Sequence, residues 1–280
     1  MRKKIIVGFL VIILSLTLVV ISDYFLAVEQ IKTEYCDLTE VLQKEKLTEE
    51  EYGLIFSQTG LGRPAVEDIR LQSSDFDSAI KAFQTQNLQT IQWKQDFIFF
   101  PTTTAEQLRD TENKEIERRL ELPPLKKGDI LLTRSTKTLL YRHGHSALLL
   151  DPEREKTVEA LMIGSDSDVL RVDSWRYYPT LLVLRPKNID EKTVEKVTSY
   201  AEEKLVGVPY HLLTGVLKKD KTDLDLVDYT HCAHLVWQAY QQAGIDLDSD
   251  EGWMVTPRDI ANSSELEVVF SFGFGDDGGW

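Results

Sequence analysis

The chain has 280 residues, a formal net charge of −14 and 42% hydrophobic residues. That length suits one main domain with an attachment, since single cores stop growing near about 250 residues, and the apolar and aromatic content excludes a largely disordered chain. The negative charge excludes nucleic acid as a partner, because such binding draws its affinity from Lys and Arg neutralising phosphates.

Arg2, Lys3 and Lys4 precede an uncharged apolar run from Ile5 to about Ile21, which Tyr24, Phe25 and Leu26 extend. The pattern predicts an uncleaved membrane-spanning helix within residues 1–26, with the basic flank cytoplasmic and everything from Cys36 onward outside. A cleaved signal peptide is the competing reading. Against it stand the length of the run and the lack of a small-x-small site among Ser22 to Val28. Two cysteines cannot build a disulfide framework, and a Cys36–Cys232 bridge is the purely structural alternative for both.

Residues 27–124 are expected to form a helical juxtamembrane segment, with apolar positions three or four apart. Thr59-Gly60-Leu61-Gly62-Arg63-Pro64 breaks that pattern as a turn; it lacks the preceding strand and the Lys-Ser/Thr of a phosphate loop. The mixed charges between Glu106 and Glu121 predict a solvated helix, which Pro123-Pro124 ends.

After the prolines the texture changes to short apolar runs: Asp129–Thr133, His145–Leu150, Thr157–Met162, Val169–Val172 and Leu181–Leu184. These predict strands, and the turn chemistry of Asp151-Pro152-Glu153-Arg154 joins the second and third as an antiparallel hairpin. Asp190 is placed to cap a helix bearing Val194, Val197 and Ala201 on one face and ending at Gly207. A second helix is expected from Cys232 to Ala243, with Thr230 as N-cap and Gly244 as its stop.

Cys232 falls in the first turn of that helix, where unpaired N–H groups and the helix dipole favour a thiolate. A small buried residue filling space is the bland alternative for the same position. All five histidines lie between His143 and His234. His145 opens a strand after Gly144, where an imidazole can project toward a helix start, and Glu159 on the partner strand can orient it. His143 and His211 read as ordinary structural or surface residues.

Four motifs in order resemble the YiiX/YycO-like proteins of the NlpC-type, papain-like superfamily. They are Lys127-Gly128-Asp129-Ile130-Leu131-Leu132, Gly144-His145-Ser146-Ala147-Leu148, Val158-Glu159-Ala160 and His231-Cys232-Ala233-His234-Leu235-Val236-Trp237. The resemblance covers about Leu125 to Ser263. It implies an α+β fold: a circularly permuted papain-like domain at 125–270, in which an antiparallel sheet packs on helices and the histidine strand precedes the cysteine helix. The transmembrane helix and the helical segment precede this domain, and a Gly-rich tail, 271–280, follows it.

Carried over residue by residue, the resemblance implies Cys232 as nucleophile, His145 as base and Glu159 as the orienting group. Tyr210, within Gly207-Val208-Pro209-Tyr210, matches a tyrosine near the family's site. Ala233-His234 stands where the family more often has Ser-Glu, so His234 and Tyr210 are assigned to substrate contacts. The expected activity is amide hydrolysis through a thioester, with no cofactor and no metal. The expected substrate is a cell-wall peptide or an acyl amide. The rival readings are a zinc site built from His143, His145, His231, Cys232 and His234, and a catalytically silent binding module of the same fold.

Overall fold

The computed structural model describes residues 14, 34–99, 103–110, 118–138, 141–214, 227–274 and 280. From Glu34 the described residues first form four helices, α1 (Thr39–Leu42), α2 (Glu49–Thr59), α3 (Arg63–Gln72) and α4 (Phe76–Leu88). Their ends follow local chemistry. Thr48 and Glu51 form a capping box at the start of α2, Gly60 ends it in the left-handed region at φ 73°, and Pro64 sits in the first turn of α3. The expected turn at Gly60–Pro64 is therefore a helix–helix junction.

Two antiparallel sheets follow. The smaller has the order β1-β2-β4-β5, from β1 (Gln92–Phe99), β2 (Thr103–Arg109), β4 (Thr136–Thr138) and β5 (Tyr141–Arg142). The larger runs β10-β9-β3-β6-β7-β8. Its strands are β3 (Ile130–Thr133), β6 (His145–Asp151), β7 (Lys156–Glu159), β8 (Asp168–Arg171), β9 (Leu181–Pro186) and β10 (Leu266–Phe272). A 3-10 turn, Val172–Tyr177, links β8 to β9. Three further helices are α5 (Glu191–Lys204), α6 (Cys232–Gln241) and α7 (Pro257–Ala261).

The five expected strands are all present, and β6 and β7 form the expected hairpin. The runs of β3, β6 and β9 are almost continuously buried because the middle of the six-stranded sheet is covered on both faces and successive side chains point to opposite sides. Leu131, Ala147, Leu149, Leu181 and Val183 pack with residues of α1–α4 in one core. Ile130, Leu132, Leu148, Leu150, Leu182 and Leu184 pack with α5, α6 and α7 in the other. Each such side chain contributes about 1.5–3 kcal/mol on burial.

The α+β class with antiparallel sheets stands, but three expectations are corrected. Among the described residues no helix is long and apolar enough to cross a membrane, so the preceding transmembrane helix and the single-pass membrane location are not supported. The run from Ile5 to Ile21 lies outside the described residues apart from Leu14. Next, the segment before Pro123 is not helical throughout, since it contains the β1–β2 hairpin. Within its mixed-charge stretch, Glu106 is a buried strand residue whose carboxylate takes both Arg142 Nη atoms at 2.9 and 2.6 Å and Lys137 Nζ at 3.1 Å. Last, β10 crosses the expected boundary at residue 270. Of the Gly-rich tail, residues 275–279 lie outside the described ones.

The first helices are joined to the sheet by backbone as well as by the core. Gly62 N–H donates to Val269 O at 2.9 Å, and Ser271 N–H donates to Gly60 O at 2.8 Å. A Cβ on Gly60 or Gly62 would lie 1.9 Å from Ser271 O or 1.8 Å from Val268 O, so this approach requires glycine at both places. A buried ionic network fixes the same junction. Arg185 on β9 clasps the fully buried Asp129 through Nε and Nη2 at 2.7 and 2.8 Å and reaches Asp68 on α3 at 2.7 Å. Burial pushes the Asp129 carboxyl above its ordinary range despite that partner. Arg185→Ala strands two buried carboxylates and is expected to lower stability by about 3–5 kcal/mol in denaturant unfolding. A loss below about 1 kcal/mol would show that the network is solvated instead.

Candidate active site

His145 is the first residue of β6 and Cys232 the first of α6, and α6 packs against β6. Gly144 makes the entry to β6 possible. Its φ is 74°, and a Cβ there would lie 2.6 Å from Thr133 O and 2.7 Å from the Trp280 ring. Leu148 pairs with Val158, so alternation puts His145, Ala147, Thr157 and Glu159 on the opposite, shared face of the hairpin. There His145 Nε2 meets Glu159 Oε2 at 2.7 Å, with both side chains buried. The hydrogen bond to Cys232 accordingly belongs to Nδ1.

Glu159 is held in turn. Its Oε1 accepts from Thr157 Oγ1 at 2.6 Å and from Trp175 Nε1 at 2.9 Å. The Trp175 indole also stacks on the His145 ring, with centroids 5.3 Å apart and planes 15° from parallel. Tyr178 meets the other side of Trp175 edge-on at 5.4 Å. The imidazole is thus fixed by a carboxylate at its edge and an aromatic plate on its face. Trp175 and Thr157 were not among the sequence candidates, because only the fold brings residue 175 to residue 145.

Electrostatics oppose burial at both reacting groups. Burial by itself would push the Cys232 thiol up, but the imidazoles of His145 and His231 hold it well below its ordinary value. Burial would likewise depress the His145 imidazolium, yet Cys232 and Glu159 raise it to about 10. The arrangement favours a thiolate–imidazolium pair at neutral pH. Both Cys232 and Cys36 are free thiols, so no disulfide joins them.

The N-cap of α6 is His231, not Thr230: its Nδ1 accepts the His234 N–H at 3.3 Å. Tyr210 forms a parallel bridge with Thr230, two residues before the cysteine. Burial, and then the charge of Cys232, push its phenol up, which puts Tyr210 within electrostatic reach of the thiol. His234 is buried, with Nδ1 at 3.2 Å from Thr230 Oγ1 and its ring beside Trp237. His143 donates Nδ1–H to Gly144 O at 2.7 Å, and His211 packs on Tyr229; neither belongs to the relay.

Among the described residues the ligand atoms of the His/Cys set do not converge to within 4.8 Å of one another, and His145 has both nitrogens engaged. Among the described residues, the only His/Cys/Asp/Glu group whose ligand atoms all lie within 4.8 Å of one another is Asp248, Asp250 and Asp259. Asp250 and Asp259 there accept hydrogen bonds from Gly252 N and Thr256 N.

Glu159→Gln keeps this shape but removes the charge that orients and stabilises the imidazolium. Acylation of Cys232 by an activated ester is expected to slow by about 10–10³-fold with the fold retained. An unchanged rate would show that Glu159 is only a packing residue.

The chain is similar to the uncharacterized protein YycO of Bacillus subtilis (strain 168), 31% identical over 154 residues, which are 54% of this chain and 58% of YycO, a likeness that supports a YiiX/YycO-like family. The match therefore spans less than two thirds of YycO. The crystal structure of the metalloprotein yiiX from Escherichia coli O157:H7, DUF1105, aligns with 53% of this chain and 98% of its own, at a TM-score of 0.39 and 14% identity, a likeness that carries no argument about mechanism. No protein-family model matches the chain.

Proposed function

We propose that the chain is a cysteine hydrolase that cleaves amide bonds through a thioester on Cys232. The observation that carries this reading is the buried relay Cys232–His145–Glu159, in which the thiol is held low and the imidazole high. A thiol that only filled space would be pushed up by its burial and would not sit on an oriented imidazole. The order of the relay, with the histidine strand before the cysteine helix, is that of a permuted papain-like enzyme.

The residues define the steps. The Cys232 thiolate attacks the amide carbon, and helix-start N–H groups stabilise the oxygen that takes up the charge. His145, already protonated, gives its proton to the leaving amine and then takes one from the water that cleaves the thioester. Glu159 holds the tautomer and offsets the imidazolium charge, while Trp175 fixes the ring plane. In this reading Tyr210, within electrostatic reach of the thiol, contacts the substrate, and His234 is assigned with it. The substrate class is a cell-wall peptide or an acyl amide.

The test is direct. An activated ester, or an irreversible acyl mimic, is incubated with the full chain and the intact mass is read, followed by turnover of purified cell-wall fragments and acyl amides. Addition of one acyl mass to Cys232, and release of amine from one substrate class, is expected. A folded chain that neither acylates nor turns over any amide would leave the binding-module reading in its place.

A further inference from the structure

His231 places a buried imidazole beside the nucleophile, with one ring nitrogen outside any hydrogen bond among the described residues. Only 5% of the residue is exposed, and its Nε2 is buried without a hydrogen-bond partner among the described residues. The other nitrogen, Nδ1, accepts the His234 N–H and so cannot itself hold a proton in the neutral ring. The neutral ring then carries its proton on Nε2, an N–H that meets no acceptor at hydrogen-bond distance among the described residues, on an imidazole that also interacts with the Cys232 thiol. A buried orphan donor costs about 1–3 kcal/mol, so one beside a nucleophile calls for an acceptor, which a bound ligand can supply. His231 directly precedes Cys232, and its imidazole acts on that residue's thiol after burial and His145.

We propose that His231 is a catalytic residue that donates its Nε2–H to the carbonyl oxygen of the substrate as negative charge develops there. This inference rests on the cysteine-hydrolase reading and adds a side-chain donor to the helix-start N–H groups. In the step, the C–S bond forms and the carbonyl π pair moves onto oxygen. His231 Nε2–H shortens its hydrogen bond to that oxygen without giving up the proton. On collapse the π bond re-forms, the C–N bond breaks, and the leaving amine takes its proton from His145. The two imidazoles thus divide the work: His145 moves a proton, and His231 keeps one.

The same helix-cap contact that fixes the tautomer also fixes the ring, so the donor is preorganised, as oxyanion stabilisation requires. A histidine is not among the favoured N-cap residues, which are Ser, Thr, Asp and Asn. Asparagine would cap α6 as well but would not extend to the Nε2 position.

That difference supplies the experiment. His231→Asn places its Oδ1 near the position of Nδ1 and keeps the cap, while removing the donor. His231→Gln places its amide nitrogen near the position of Nε2. Two rates are measured across pH for wild type and both variants in the full chain: acylation by an activated ester, and alkylation by iodoacetamide, which has no oxyanion to stabilise at the attacked carbon. Plateau values are compared, so that any change in thiol ionisation divides out, and thermal unfolding confirms the fold.

His231→Asn is expected to acylate about 10²–10³-fold more slowly while its alkylation plateau stays within about 5-fold, and His231→Gln is expected to recover part of the loss. Acylation and alkylation falling together would overturn the inference in favour of an effect on the thiol alone. Both rates unchanged would make His231 a helix cap and nothing more. If wild type alkylates but never acylates, the hydrolase reading fails first and the inference fails with it, an outcome distinct from the other two.

Discussion

Cys232→Ala is expected to give a folded protein that takes up no acyl group. The side chain removed is small and buried, and Ala is itself a good helix residue, so α6 and its contacts with β6 persist. What disappears is the sulfur that the imidazoles of His145 and His231 act on. Turnover should fall on the order of 10⁴-fold or more, since loss of a nucleophile is not made good by the groups that activate it. The intact mass should show a single acyl addition in wild type and none in the variant. Cys36 is the internal control: it is partly exposed and hydrogen-bonds weakly to Asp37 O, with no imidazole on it. Equal labelling of wild type and Cys232→Ala would place the reactive group elsewhere and end the assignment.

The second large effect belongs to His145→Ala. Burial then acts on Cys232 with only His231 to counter it, so the thiol should rise toward or above its ordinary value. At pH 7 an ordinary thiol near 8.5 is ionised to a few per cent, so alkylation should slow about 30-fold or more and acyl transfer further still. His143→Ala should change little, because that imidazole faces Gly144 O. Equal effects from both would indicate a shared metal rather than a relay.

The wild-type pH dependence has a definite sign. The imidazolium is raised to about 10, so its stabilisation is full below the unfolded histidine value and is lost as pH rises through about 10. The thiol is lowered, so the thiolate part is full above the unfolded cysteine value and is lost as pH falls through the folded one. Acyl transfer should therefore run on a plateau from the folded thiol value to about 10 and decline on both sides. A rate rising through pH 8–9 like that of a free thiol would contradict this.

Much of this was legible in the residues, for identifiable reasons. Strands β3, β6 and β9 declare themselves because both faces are buried, which turns alternation into an unbroken apolar run. The Asp190 cap held, with Thr193 N–H donating to Asp190 Oδ1 at 2.8 Å. The relay was readable because its members lie on a hairpin and at a helix start, both local features. The β1–β2 hairpin was not, since Gln, Lys, Asp and Glu interrupt its apolar positions and its partner β4 lies beyond Pro124. Trp175 carries no spacing signal toward His145, and only the path from β8 to β9 brings it there. The α6 cap was misplaced by one residue because Thr230 has the better cap chemistry, whereas His231 has the position.

The stitch at Gly60 and Gly62 also has a bearing on how this chain can be divided. Strand β10 is an outer strand of the six-stranded sheet, and Leu61 bridges Phe270 along its free side. An uncovered strand edge is a template for any other extended chain, its own copies included. A fragment beginning at Leu125 would keep every relay residue yet bare both that edge and the apolar face beneath α1–α4. Such a fragment has the makings of an aggregating protein rather than a minimal enzyme. The segment from Glu34 to Leu122 is therefore a built-in cover for the edge and one face of the six-stranded sheet, held permanently in the same chain.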